Sequence, residues 1–193
     1  MIRTALRAAV ATVVLAVLTG LLYPLAVTGV AQLAFPDKAE GSLVRVDGRV
    51  VGSTLIGQRW AGPEWFYGRP SAPDYDASAS AGSNLGPNSR DLAQRIRERI
   101  KVIIEMEGPY NPGLRASDIP VDLLTASASG LDPHISPAAA RLQAPRIAAV
   151  RQLPLDQVSR LIREHTEGRV LGLFGEPRVN VLELNLALER MGG

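Results

Sequence analysis

Cysteine is absent from this chain, which excludes disulfides, thiolate metal sites and a cysteine nucleophile. Histidine is almost absent as well. His134 and His165 fall in unrelated contexts, and without cysteines they complete no zinc ligand set. There is no Gly-x4-Gly-Lys-Ser/Thr phosphate loop. Nor is there a Gly-x-Ser-x-Gly elbow to expose a hydrolase serine. No repeat of roughly 20–50 residues recurs, so the chain is not a solenoid. The most informative absence is that of charge between Arg7 and Asp37.

What fills that interval is Ala, Val, Leu, Thr and Gly, with a Tyr23-Pro24 break and, near its end, Gln32 and Phe35-Pro36. At about 1.5 Å per helical residue, roughly 20 residues cross a ~30 Å hydrocarbon layer, so residues 8 to 35 suffice for one span. Pro24 removes a helical donor and crowds the preceding turn, which predicts a kink near Tyr23. A secretory signal is the competing reading, because Arg3 and Arg7 precede the apolar run and Gly29-Val30-Ala31 resembles a cleavage site. The run outlasts a signal's apolar region of roughly 7–15 residues, which favours an uncleaved anchor. Arg3 and Arg7 before the span and Asp37 after it place the N-terminus in the cytoplasm by the positive-inside rule. Residues 1–36 are then a cytoplasmic tip and anchor helix, and residues 37–193 one extracytoplasmic domain.

That domain is large enough for a core of its own. Of 21 basic and 19 acidic residues in the chain, two arginines precede the span, so the exported part is formally neutral. The pI near 9.3 therefore reflects near-balanced charge, and no clustered basic face points to nucleic acid.

In chain order, Asp47-Gly48 between Leu43–Val46 and Arg49–Val51 predicts a β-hairpin. Trp60, Trp65, Phe66, Tyr67 and Tyr75 supply five of the nine aromatics and form either a core corner or a docking face. Residues 69–74 and 77–88 are a long Ser, Gly, Asn and Pro loop. Asn88, with Asp91 three residues on, is the expected N-cap of an amphipathic helix carrying Leu92, Ile96, Ile100 and Ile103 inward and ending near Gly108. Arg90, Arg95, Arg97, Arg99 and Lys101 on its outer face, interspersed with acids, read as a solvated face rather than a binding patch.

Val121, Leu123 and Leu124 suggest a buried strand or short extended piece. Ser136-Pro137 starts a helix that Pro145 interrupts or kinks. Another helix begins at Pro154, with Leu155, Val158, Leu161 and Ile162 on one face, and stops by Gly168. A last one is capped by Asn180 with Glu183, burying Val181, Leu184 and Leu188. The predicted class is one N-terminal transmembrane helix followed by a single α+β domain. Ser127 or Ser129 with Asp132 and His134 contains the residue types of a serine hydrolase, an alternative function. Residues this close in sequence rarely converge as a triad, and a polar loop serving its own backbone is the simpler account.

Several stretches together resemble the KdpC family, the small subunit of the Kdp potassium-transporting P-type ATPase. They are Gly41-Ser42-Leu43, Gly52 to Gln58, Gly68 to Ala72, Gly82 to Leu85, Thr125 to Pro137 and Val179 to Leu188, together with Tyr23-Pro24. One departure is Ala81, where the family pattern has a second glycine before Gly-Ser-Asn.

The resemblance implies a non-catalytic subunit of the bacterial inner membrane with no catalytic or metal site of its own. Its implied partners are a channel-like potassium-binding subunit, an ATP-hydrolysing P-type subunit, a small single-span subunit and the lipid bilayer. No cofactor is expected on the chain alone; ATP with Mg and potassium belong to the complex. The family is described as a catalytic chaperone raising the pump subunit's ATP affinity. That role falls on Ser53, Gly57 and Gln58 through similarity to a glutamine-ending transporter signature. Expected partner contacts are Trp60, Trp65, Phe66, Tyr67, Arg69, Ser83, Asn84, Asp132 and His134, with Pro24 kinking the membrane helix. With the domain outside, Gln58 would lie across the membrane from cytosolic ATP, so any such effect would have to be conformational.

Overall fold

The computed structural model describes residues 1–191 and divides into two units, Met1–Val51 and Gly52–Gly193. In the first unit, Ile2–Ala34 is one continuous apolar helix, long enough to cross a membrane and with none of its residues buried. It consists of α1 (Ile2–Val17), a π-helical turn at Leu18–Leu22 and α2 (Tyr23–Ala34). The wide turn has a clear cause in the sequence. Pro24 has no N–H and its ring would crowd the carbonyl of Gly20, so the helix loosens just before it. The Tyr23 N–H reaches back five residues to the Leu18 carbonyl. The Thr19 hydroxyl donates to the Leu15 carbonyl at 2.7 Å, filling hydrogen-bond capacity within the helix itself.

A short helix, α3 (Pro36–Ala39), leads to the hairpin of β1 (Leu43–Val46) and β2 (Arg49–Ser53). Asp47 and Gly48 have φ of 51° and 76°, the left-handed pair that a type I′ turn requires.

The second unit is centred on α5 (Pro137–Val150), which buries seven residues from Ala139 to Ala148. Against it pack α4 (Arg90–Glu107) and α6 (Leu155–Glu164), while α7 (Val181–Met191) packs on α6. A small antiparallel sheet, in the order β3 (His134–Ile135), β5 (Arg178–Asn180), β4 (Thr166–Glu167), closes the core. Phe66, Ile135, Ile147, Val158, Ile162, Val179, Leu184 and Leu188 are among its fully buried apolar residues. Small alanines on α5 let neighbouring elements approach closely.

The helix starts at Ser136 and Asn180 are as expected. Ser136 Oγ accepts from Ala139 N at 3.0 Å, and Asn180 Oδ1 from Glu183 N at 3.2 Å. Pro145 does not interrupt α5, which is helical from Pro137 to Val150. Two further expectations are corrected. The cap of α4 is Ser89, not Asn88, because a turn from Gly86 to Ser89 holds Asn88 and the helix begins one residue later. The piece around Val121–Leu123 is a 3-10 turn, not a strand: Asp122 accepts from Ser136 N at 2.7 Å and pins the turn to the start of α5. The strands β3, β4 and β5 have two or three residues each, too few to show an alternating pattern in the sequence.

Candidate functional site

Residues 53–58 leave the hairpin and pass under the loop at 131–134. The Gly57 N–H donates to the Leu131 carbonyl at 2.8 Å, and a Cβ on Gly57 would stand 2.5 Å from the Asp132 carbonyl oxygen. Only glycine fits so close a backbone approach. Gln58 turns inward, its Oε1 2.5 Å from where a Cβ on Gly52 would lie. The Ser53 hydroxyl accepts from Leu55 N at 3.1 Å, and the Asn180 side chain donates to the Thr54 carbonyl at 2.8 Å. The space beside Gly57 and Gln58 is about 10 Å³, barely room for one water.

Asp132 is the hub of this junction. Its carboxylate accepts from Arg69 at 3.1 Å and from the His134 backbone N–H at 2.9 Å, with the His134 ring 3.6 Å away. Burial pushes the Asp132 carboxyl up, but the bonds from His134 together with Arg69 outweigh it and hold the group below the usual carboxylate range. Tyr75 closes the other side, its hydroxyl donating to the Arg69 carbonyl. Burial, reinforced by the Asp132 and Asp74 charges, pushes that phenol up to about 12.

The long Ser/Gly loop is held down on the same region. Ser80 Oγ donates to the Ser129 carbonyl at 3.0 Å, and Gly82 and Gly130 have backbone or Pro73 atoms where a Cβ would sit. Gly82 is not among the residues with positive φ and neither is Ala81, whereas Asn84 is left-handed at 53°. Ser83 is half-buried. Ser129 Oγ accepts from Leu131 N at 3.1 Å, and Ser127 Oγ is buried with no partner among the described residues. Of the residues of the hydrolase alternative, then, Ser129 and Asp132 accept from the loop's own backbone, and Asp132 also holds the Arg69 side chain.

A ligand-sized cleft of about 670 Å³ lies between α4 and the segment carrying Trp60, Tyr67 and Arg69. Its wall includes Val102, Ile103, Met106 and Leu123, and its polar lining includes Arg95, Arg99 and Glu107. Among the described residues, Arg95 and Arg99 have no carboxylate partner. Arg99, half-buried, donates instead to the Leu124 carbonyl at 2.6 Å, and burial with Arg95 nearby lowers its pKa. The α4 arginines are therefore not uniformly a solvated face. Trp60 Nε1, Arg69 Nε and Glu107 Oε2 are sealed from water with no partner among the described residues, and all three residues line this cleft.

The framework behind the aromatics is polar. Arg146, fully buried on α5, donates to Glu107 at 2.9 Å, to the Trp65 carbonyl at 3.1 Å and to the Pro63 carbonyl, and its guanidinium lies 5.1 Å from the Tyr67 ring centroid. Burial raises the Glu107 carboxyl pKa, with Arg146 opposing. The Asn185 amide bonds both N–H and C=O of Phe66, at 2.9 and 3.0 Å, and Gln143 does the same for Tyr67, at 2.8 and 3.1 Å. These amides stand in for a neighbouring strand.

Of the sequence candidates, the structure brings Gly57, Arg69, Asp132 and His134 into one junction. Phe66 is wholly in the core, while Trp60 and Trp65 meet with centroids 5.0 Å apart and ring planes tilted by 43°, and remain half-exposed. Sequence reasoning missed Glu107, Gln143, Arg146 and Asn185. The available signal was helical spacing: Gln143 and Arg146 share a face with Ala139 and Ile147, which placed them inward.

A family model described as "KdpC: K+-transporting ATPase, c chain" matches residues 5–190. The chain belongs to the KdpC family. Proteins named "Potassium-transporting ATPase KdpC subunit" match it nearly end to end. That of Polaromonas naphthalenivorans is 56% identical over 181 residues, covering 92% of this chain and 90% of the relative. That of Nitratidesulfovibrio vulgaris is 54% identical over 187 residues, covering 95% and 92%. That of Caldanaerobacter subterraneus subsp. tengcongensis is 51% identical over 177 residues, covering 92% and 90%. The chain is thus a KdpC-type subunit of a potassium-transporting ATPase, and the one membrane-length helix among the described residues fits a membrane protein.

Proposed function

We propose that this KdpC-family chain is a non-catalytic accessory subunit of a high-affinity, ATP-driven potassium uptake complex, with hydrolysis carried by a P-type partner. The observation that carries this reading is the uncovered apolar helix Ile2–Ala34, attached to a folded domain in a chain that matches a transporter subunit over nearly its whole length. Arg3 and Arg7 support an N-terminus on the cytoplasmic face of the bacterial inner membrane. The domain then lies outside and docks at the mouth of a channel-like potassium-binding subunit, while a small single-span subunit packs beside the membrane helix. Trp60, Tyr67 and Arg69 line the cleft, and with the half-buried Trp65 beside Trp60 they suit such a surface. ATP with Mg, and potassium, act on the assembled complex. The test is a truncation that keeps residues 1–36: loss of assembly or of potassium affinity is expected, and unchanged transport refutes the reading.

A second reading concerns ATP affinity. The tight seating of Gly57 against Asp132 favours an effect of Ser53, Gly57 and Gln58 transmitted through coupled conformations. Gly57→Ala in the assembled transporter should then raise KM for ATP, and an unchanged KM removes this reading.

A further inference from the structure

The cleft beside α4 changes character along one stripe of that helix. Arg95, Arg99, Val102, Ile103 and Met106 all line it. At 3.6 residues per turn these positions share one face, with two cations in its first half and three apolar side chains in its second. Val102 is 58% accessible and Met106 half-buried, so apolar surface remains open beside the arginines.

The acids of the wall have partners elsewhere. Asp74 meets Arg59 at 3.0 Å, Glu107 meets the buried Arg146 at 2.9 Å, and Glu98 accepts from Gln94 at 2.9 Å. Arg69, also in the wall, is held by Asp132 at 3.1 Å. Among the described residues no carboxylate forms an ion pair with Arg95 or Arg99. Like charges four residues apart on a helix repel, and burial together with Arg95 lowers the Arg99 pKa. Arg99 gives one donor to the Leu124 carbonyl, at 2.6 Å, and a guanidinium has further donors to offer.

Charge and size narrow the ligand. Four arginines and three acids line the cleft, a net single positive charge centred on the two arginines without an acid. That balance suits one negative charge. A polyphosphate would carry several past Glu98 and Asp74, with no Gly-x4-Gly-Lys-Ser/Thr loop to receive them. From Arg99 to Met106 the helix rises about 10 Å, the length of a medium aliphatic chain. The volume, about 670 Å³, lies within the roughly 300–1,000 Å³ of small-molecule sites, which join an apolar lining to a few placed polar groups.

We propose that this cleft binds a medium-chain aliphatic monocarboxylate, its head on Arg95 and Arg99 and its chain along Val102, Ile103 and Met106. Every residue of the site belongs to this one chain, so the inference stands apart from the accessory-subunit reading. The test is calorimetric titration of octanoate into the full chain in neutral phosphatidylcholine nanodiscs, with protein-free discs as the blank. Saturable binding is expected, weaker by about tenfold or more for octanamide, which keeps the chain without the charge, and for acetate, which keeps the charge without the chain. Arg95→Gln and Val102→Asp change exposed positions. Each should weaken octanoate binding by about tenfold or more while leaving the thermal unfolding midpoint unchanged. Equal affinity for octanamide, or undiminished binding by both variants, overturns the proposal. Tighter binding of ATP than of octanoate overturns it in favour of a nucleotide. Loss of octanoate binding in discs of anionic phosphatidylglycerol overturns it in favour of a bilayer lipid, and loss only on assembly with the transporter's other subunits in favour of a protein contact.

Discussion

Replacing Arg146 by Met tests how the domain holds its aromatic segment. The substitution keeps the length and apolar stem of the side chain but removes the guanidinium. Glu107, also 0% exposed, then loses its cation, and the Pro63 and Trp65 carbonyls lose a shared donor. Breaking a buried pair by removing one partner costs about 3–5 kcal/mol. In a domain of this size each kcal/mol moves the midpoint by roughly 2–4 °C, so a fall on the order of 10 °C is expected. Helical circular dichroism of the full chain in detergent reads this directly.

The deficit should also depend on pH. The Glu107 carboxyl is already raised by burial, and without Arg146 it rises further. A carboxyl whose folded pKa lies above its unfolded value holds its proton more tightly when folded, so stability increases as pH falls toward the unfolded value. The variant should therefore recover part of its loss between about pH 7 and pH 5. Adding Glu107→Gln removes the uncompensated charge and should restore at least about 1 kcal/mol at neutral pH, a coupling visible in a double-mutant cycle. A loss below about 1 kcal/mol for Arg146→Met, or strict additivity of the two substitutions, would refute the reasoning.

Three further outcomes follow from the same geometry. Gly57→Ala forces a methyl against the Asp132 carbonyl and the Tyr75 ring, and should lower stability by about 1–3 kcal/mol in denaturant titration. Asn185→Ala leaves the buried N–H and C=O of Phe66 unpaired and should cost about 2–4 kcal/mol, with accelerated hydrogen exchange at Phe66. Asp132, with a lowered pKa, contributes stability that is present above the ordinary carboxylate pKa and is lost as pH falls through its folded value. The midpoint difference between the unaltered chain and Asp132→Asn should be constant above about pH 5 and shrink below about pH 4, and a difference that grows on acidification contradicts this.

Local signals were legible wherever a few adjacent residues suffice to determine the conformation. Asp47-Gly48 makes its turn because both residues tolerate positive φ, and Ser136-Pro137 and Asn180 cap their helices through their own side chains. Where competing local bonds existed the reading slipped. Ser89 displaced Asn88 by one residue, and Asp122 bound Ser136 from 14 positions away and turned an apparent strand into a 3-10 turn. The exposed turn at Val170–Phe174 looks in sequence like one more apolar run; only its position outside the core distinguishes it.

What the sequence by itself determined about this chain is its membrane-length helix, the helix starts at Ser136 and Asn180, its hairpin and its family, because each is carried by contiguous residues and short spacings. What only the tertiary structure decided is which polar residues lie inside. Arg146 with Glu107, and Asn185 and Gln143 with the Phe66-Tyr67 backbone, are separated by 39 to 119 positions. A buried charge or amide is tolerable only where its partner arrives from elsewhere in the chain, and no local pattern announces that arrival.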